Sequence, residues 1–197
     1  LARFCVLTRL KEHENSNLYS KLRVYDGDKL KDSDPKAKTL QEYKDAAGDV
    51  MEGVLAMPRE ITGRVPGVLV IHEWYGINAY TRERAIQLAE AGYVAFAGDL
   101  YGKGRRADNA EGAGKLAGEL KGNRPLARSR GEAALQVLRE QPQVDSTRLA
   151  AIGYCFGGMA VLELARAGAD VDGVVSFHGS LDTPLPAKPG EIRARVL

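Results

Sequence analysis

The chain has 197 residues, 44% hydrophobic and 27% charged, enough for one domain with a sizeable core and too few for two comfortable ones. Its 28 basic residues are diluted by 26 acidic ones along the whole length, so the net charge of +2 leaves no electrostatic footprint for nucleic acid. No apolar run is long enough to span a bilayer. Cys5 and Cys155 lie in unrelated contexts, with no CxxC or HExxH, and His13, His72 and His178 are widely spaced. These features predict neither a disulfide framework nor a metal site, no cofactor, no nucleic-acid or membrane partner, and a reducing, cytoplasmic setting. The chain opens on Leu1 rather than Met, which leaves open whether upstream residues or a leader precede it.

In chain order, residues 1–39 read as a polar lead-in, lysine-rich and broken by Asp-Gly and Asp-Pro. Residues 40–197 read as the domain proper. LQEYKDAAGDVMEGVLAMP (40–58) predicts an antiparallel hairpin turning at Ala-Gly. GVLVIH (67–72) is a short, continuous apolar run rich in β-branched residues, as suits a strand buried on both faces of a parallel sheet. Residues 79–91 have helical spacing and end at Gly92, a C-terminal stop signal. YVAFAGD (93–99) predicts a second buried strand, and residues 108–141 a helical stretch broken near Gly122-Asn-Arg-Pro125. RLAAIGY (148–154) is a third strand, 157–167 a helix, VDGVVSF (171–177) a fourth strand, and ARVL (194–197) the opening of a fifth. This alternation predicts an α/β fold with a mainly parallel sheet flanked by helices.

GYCFGG (153–158) falls where a strand ends and a helix begins, the edge at which open α/β sheets bind ligands. A dinucleotide loop needs GxGxxG, with glycine where Cys155 stands. A Walker loop needs GxxxxGK[ST], and Gly102-Lys103 and Gly114-Lys115 are followed by Gly104 and Leu116. Both phosphate readings fail. Gly153-x-Cys155-x-Gly157 does fit a nucleophile elbow, in which flanking glycines remove side chains that would collide with nearby backbone. The following helix aims free N–H groups at the sulfur, which favours a thiolate, and the Phe156 N–H points where an oxyanion forms. The alternative is a buried cysteine followed by glycines needed for close helix packing.

The strand GVLVIH runs into His72-Glu73-Trp74-Tyr75-Gly76 at the same sheet edge. Together, HEWYG, GDLYG (98–102) and GYCFGG resemble the dienelactone hydrolase family of α/β-hydrolases, in the right order over about residues 40–197. The resemblance implies a cysteine hydrolase acting on a lactone or another small activated ester, of carboxymethylenebutenolidase type. It makes Cys155 the nucleophile and Glu73 the carboxylate beside the resting thiol, with the backbone N–H groups of Trp74 and Phe156 as the oxyanion hole. It also implies that Glu73 takes the thiol proton when substrate binds and that an Asp–His pair stabilises the thiolate.

In this superfamily the order is nucleophile, acid, histidine. Leu197 falls inside the strand expected to carry the acid, so the Asp and His are expected beyond it. The chain thus reads as an incomplete domain lacking its last strands and helices, and as inactive in this form. His178, with Asp182 four residues on, is a substitute base one strand too early; lining the pocket fits it better. Tyr101, Trp74 and Tyr75 are candidate pocket walls, or core. Arg105, Arg106, Arg124, Arg128 and Arg130 read as a solvated helix face, with one possible substrate-carboxylate partner among them. His72 reads as structural. The competing functions are a degenerate hydrolase scaffold that binds without turnover, and a class I glutamine amidotransferase.

Overall fold

A computed structural model describes residues 39–197. The expected lead-in lies outside the described residues, apart from Thr39, which opens the first strand. β1 (Thr39–Lys44) and β2 (Val50–Ala56) form the expected antiparallel hairpin. Its turn is held by Asp45, whose Oδ1 accepts the N–H groups of Ala47 and Asp49, both at 3.0 Å. β2 then pairs antiparallel with β4 (Val94–Gly98). β3 (Val65–Ile71) lies between β4 and β5 (Val144–Tyr154), parallel to both. β6 (Gly173–Phe177) and β7 (Arg195–Val196) extend the parallel part, so the described sheet runs β1-β2-β4-β3-β5-β6-β7.

The two faces follow from period-two alternation along the central strands. Val70, Ala95 and Ala97 point to one face, where they meet Ala85 and Ala89 of α1 (Ala79–Glu90). Small residues on both sides let this helix sit close. Leu69, Ile71 and Phe96 point to the other face, in the larger cluster with Leu135, Leu138 and Met159. That cluster takes in residues of α2 (Ala110–Gly122), α3 (Arg124–Arg139) and α4 (Phe156–Arg166). Asn123 makes the expected break: it closes α2, and its side chain caps α3 by accepting the Leu126 N–H. Every residue of α4 from Phe156 to Ala165 is buried, so the helix behind Cys155 is itself core. Each large side chain buried there contributes about 1.5–3 kcal/mol.

Two departures from the sequence expectation stand out. β5 begins four residues earlier than its apolar run, because Val144 and Asp145 pair with Val65 and Pro66 before a register shift; pairing resumes with Gly67 opposite Leu149. The arginines of α3 are not a solvated face. Arg130 is buried and donates from Nε to Asp45 (3.0 Å), from Nη2 to Asp49 (2.8 Å), and from Nη1 to the carbonyls of Leu100 (2.8 Å) and Tyr101 (3.2 Å). Arg128 donates to the fully buried Glu163 at 2.8 Å and to the Leu185 carbonyl at 2.6 Å. Arg124 is buried with one nitrogen 3.4 Å from Asp182. A helix-face pattern cannot register acceptors that arrive from distant segments of the chain.

Candidate active site

Cys155 stands between β5 and α4 with φ 54 and ψ −113, a backbone conformation that non-glycine residues rarely adopt. Such a residue costs on the order of 1–3 kcal/mol and persists only where its surroundings over-determine it. Here they do. A Cβ on Gly153 would lie 2.1 Å from the Gly157 carbonyl oxygen, and one on Gly157 would lie 2.4 Å from that of Ile71. A Cβ on Gly158 would come within 2.7 Å of Ser176 Oγ, and one on Gly179 within 2.5 Å of Met159 N. The glycines therefore let the start of α4 press against the ends of β3 and β6. The Cys155 N–H is tied across to the Phe177 carbonyl at 2.9 Å. As the first residue of α4, Phe156 has an N–H with no partner inside the helix.

The second half of the site is the loop after β3. His72 is buried and uses both ring nitrogens: Nε2 accepts the Leu100 N–H at 3.1 Å, and Nδ1 lies 2.6 Å from the Glu73 carbonyl. Because Nε2 accepts, Nδ1 carries the proton and donates, and the ring is neutral. Burial pushes its pKa below the ordinary histidine value, against the opposing pull of Asp99 and the Glu73 carbonyl. Tyr101 is likewise buried, and its hydroxyl donates to the Trp74 carbonyl at 2.9 Å. Burial raises the Tyr101 pKa, and Cys155 and Asp99 nearby raise it further, so the hydroxyl stays a donor. The His72 ring stacks on Phe156, with centroids 5.7 Å apart and planes at 15°. Asp99 holds the neighbouring turn by accepting the N–H groups of Tyr101 (2.8 Å) and Gly102 (3.0 Å).

The structure thus brings the segments bearing Cys155, Phe156, Glu73 and Trp74 to one sheet edge. Glu73 is half-buried; its charge is felt at Tyr154, the residue before Cys155, whose pKa is raised first by burial, then by Tyr80, and least by Glu73. Tyr101 belongs to the core. His178 follows β6 at this edge with φ 46 and is exposed, while Asp182 is held by Arg124. Asp170 and Asp172 line an open groove of about 820 Å³ with Arg139, Ser146 and Arg195, at the opposite ends of the strands. Sequence reasoning missed what His72, Tyr101 and Arg130 do for the site loops. The usable signal was the Asp-x-Tyr-Gly of GDLYG, where an aspartate can accept N–H groups two and three residues on.

The model of the family described as "Dienelactone hydrolase family" matches residues 51–196. The chain belongs to the dienelactone hydrolase family. A curated relative from Bradyrhizobium sp, named "Probable 2-oxo-3-(5-oxofuran-2-ylidene)propanoate lactonase", is 35% identical over 137 residues, covering 68% of this chain and 54% of the relative. Among solved structures, one titled m3DLH is 43% identical with a TM-score of 0.75, covering 81% of this chain and 66% of that one. A dienelactone hydrolase-like promiscuous phosphotriesterase from metagenomic libraries is 36% identical with a TM-score of 0.72 and the same coverage. The chain therefore spans about half the length of the Bradyrhizobium relative. A separate match of 54 residues, 67% identical, is to the serine/threonine kinase YeaG of Escherichia coli; it covers 27% of this chain and 8% of the kinase. Among the described residues, no helix is long and apolar enough to cross a membrane.

Proposed function

We propose that the chain is a cysteine-dependent hydrolase of a lactone or another small activated ester. The observation that carries this reading is the conformation of Cys155: a non-glycine residue at φ 54, held between a strand and a helix by glycines with no room for a methyl group. The lactonase name of the Bradyrhizobium relative supports the substrate class. In the proposed reaction the Cys155 thiol gives its proton to the Glu73 carboxylate, and the sulfur adds to the carbonyl carbon. The resulting oxyanion sits against the N–H groups of Trp74 and Phe156. Its collapse breaks the bond to the leaving oxygen, which takes the proton from Glu73 and leaves a thioester on Cys155. Water then hydrolyses the thioester. Neither ring nitrogen of His72 is free to act as the base in either step, because both are bonded to backbone.

The test is stopped-flow mixing with p-nitrophenyl acetate, followed by intact-mass measurement. A burst of p-nitrophenolate with one acetyl group on Cys155 and little turnover after it is expected, in keeping with a chain that reads as inactive over repeated cycles. Cys155→Ala should lose about three orders of magnitude or more, and Glu73→Gln should slow the burst while the fold survives. An undiminished burst in the alanine variant sinks the assignment. A wild-type chain that binds ester without forming the adduct would instead be a non-catalytic scaffold.

A further inference from the structure

We infer that His72 and Tyr101 are positioning residues that fix the direction of the Trp74 N–H, the oxyanion donor contributed by the loop after β3. This rests on the functional reading just given. The described residues contain no cis peptide bonds, so within the Glu73–Trp74 peptide the carbonyl and the N–H point in opposite directions. Whatever holds the Glu73 carbonyl therefore aims the Trp74 N–H. That carbonyl accepts from His72 Nδ1 at 2.6 Å and from the Gly76 N–H at 3.2 Å. The next peptide is held as well, by the Tyr101 hydroxyl on the Trp74 carbonyl at 2.9 Å. Both peptides flanking the Trp74 α-carbon are thus pinned by buried rings.

The rings themselves cannot drift. His72 is fixed at its far nitrogen by the Leu100 N–H, and the carbonyl of Leu100 is held by buried Arg130. Tyr101 is gripped through its N–H by Asp99 and through its carbonyl by Arg130 and Arg105. The His72 and Tyr101 rings touch each other, with centroids 4.6 Å apart, and both contact the ring of Phe156. Phe156 supplies the other oxyanion donor from its own backbone. One aromatic cluster therefore sets the spacing of both donors before any substrate arrives, which is what electrostatic preorganisation requires.

Two substitutions separate the halves of His72. An asparagine amide reaches where Nδ1 stands, so His72→Asn keeps a donor on the Glu73 carbonyl. A glutamine carbonyl reaches where Nε2 stands, so His72→Gln keeps the strap to Leu100 and loses that donor. His72→Gln is expected to slow the p-nitrophenolate burst by roughly 10- to 100-fold at saturation with KM nearly unchanged, and His72→Asn to restore it to within about threefold of wild type. Tyr101→Phe, which keeps the ring and removes only the hydroxyl, should act in the same direction and more weakly. It takes the place of His72→Gln if that variant does not fold. A readout independent of turnover is the Trp74 amide in a ¹H–¹⁵N spectrum, which should move in His72→Gln and Tyr101→Phe and stay near its wild-type position in His72→Asn. Equal bursts in glutamine and asparagine variants with an unmoved Trp74 amide overturn the inference. If wild type forms no acetyl adduct, the hydrolase reading fails, and the amide positions alone decide whether the rings hold the loop.

Discussion

A methyl group on Gly157 would sit 2.4 Å from the carbonyl oxygen of Ile71 and 2.6 Å from that of His72. Both obstacles are backbone, so neither can swing aside as a side chain would. Gly157→Ala must therefore push α4 away from the end of β3, parting Phe156 from the loop that carries Trp74. We expect a loss of about 2–4 kcal/mol in urea unfolding and a collapse of the acylation burst. Gly114→Ala is the control: Gly114 lies inside α2 with nothing within 4 Å of the added carbon, and should gain about 0.5–1 kcal/mol. A Gly157→Ala protein as stable and as reactive as wild type would contradict the packing argument. At this scale much of the candidate site was legible, because GxCxG and the HEWYG loop are short motifs with a mechanical meaning. The roles of His72 and Tyr101 were not. Each acts on a backbone carbonyl, and a carbonyl is the same at every position of a sequence.

Arg130 of α3 fastens the β1–β2 hairpin to the Leu100–Tyr101 segment, and so couples the hairpin to the loop that supports the site. Removing one partner of a buried ion pair leaves an uncompensated charge, so Arg130→Met should cost about 3–5 kcal/mol. The pair also predicts acid sensitivity. Burial tends to raise the Asp45 carboxyl, but the Arg130 hydrogen bond and the N–H groups of Asp49 and Ala47 outweigh it and hold the group below the usual carboxylate range. With the folded value below the unfolded one, the unfolded chain takes up the proton first as pH falls. The stabilisation is present above the unfolded value, near pH 4, and is lost as pH drops through the folded value. Urea midpoints at neutral pH and near pH 3 should therefore differ less in Asp45→Asn than in wild type; equal differences would remove Asp45 from the account. The elements themselves were readable where burial is two-sided, since β3 and β4 are nearly unbroken apolar runs. The polar start of β5 was not, because its pairing with Val65 and Pro66 comes from β3 rather than from its own alternation.

For the whole molecule, we propose that residues 40–197 fold as one unit, since both apolar clusters rest on the two faces of a single sheet. The two edges of that sheet are unlike. β1 presents Glu42 and Lys44 to solvent, with Glu42 paired to Lys103, and charge of this kind discourages strand addition. Among the described residues, β7 is two residues long and pairs with β6 on one side only. Val196 and Leu197 are 45% and 82% exposed there, and the Ser176 N–H reaches the Leu197 carbonyl. Phe177 and Leu181, on the strand and loop beside it, are 43% and 74% exposed. Among the described residues no further strand covers this edge, and with four large apolar side chains nearby it is a template for a second chain, blunted by Arg193 and Arg195. We expect the 197-residue chain by itself to associate as its concentration rises, seen as earlier elution in size-exclusion chromatography and a larger mass by light scattering. Val196→Lys places a charge on the strand without touching the core, and should restore monomer at the same concentration while leaving the thermal midpoint within a degree or two. A wild-type chain that stays monomeric throughout, or association untouched by the lysine, would show that this edge is not where chains meet.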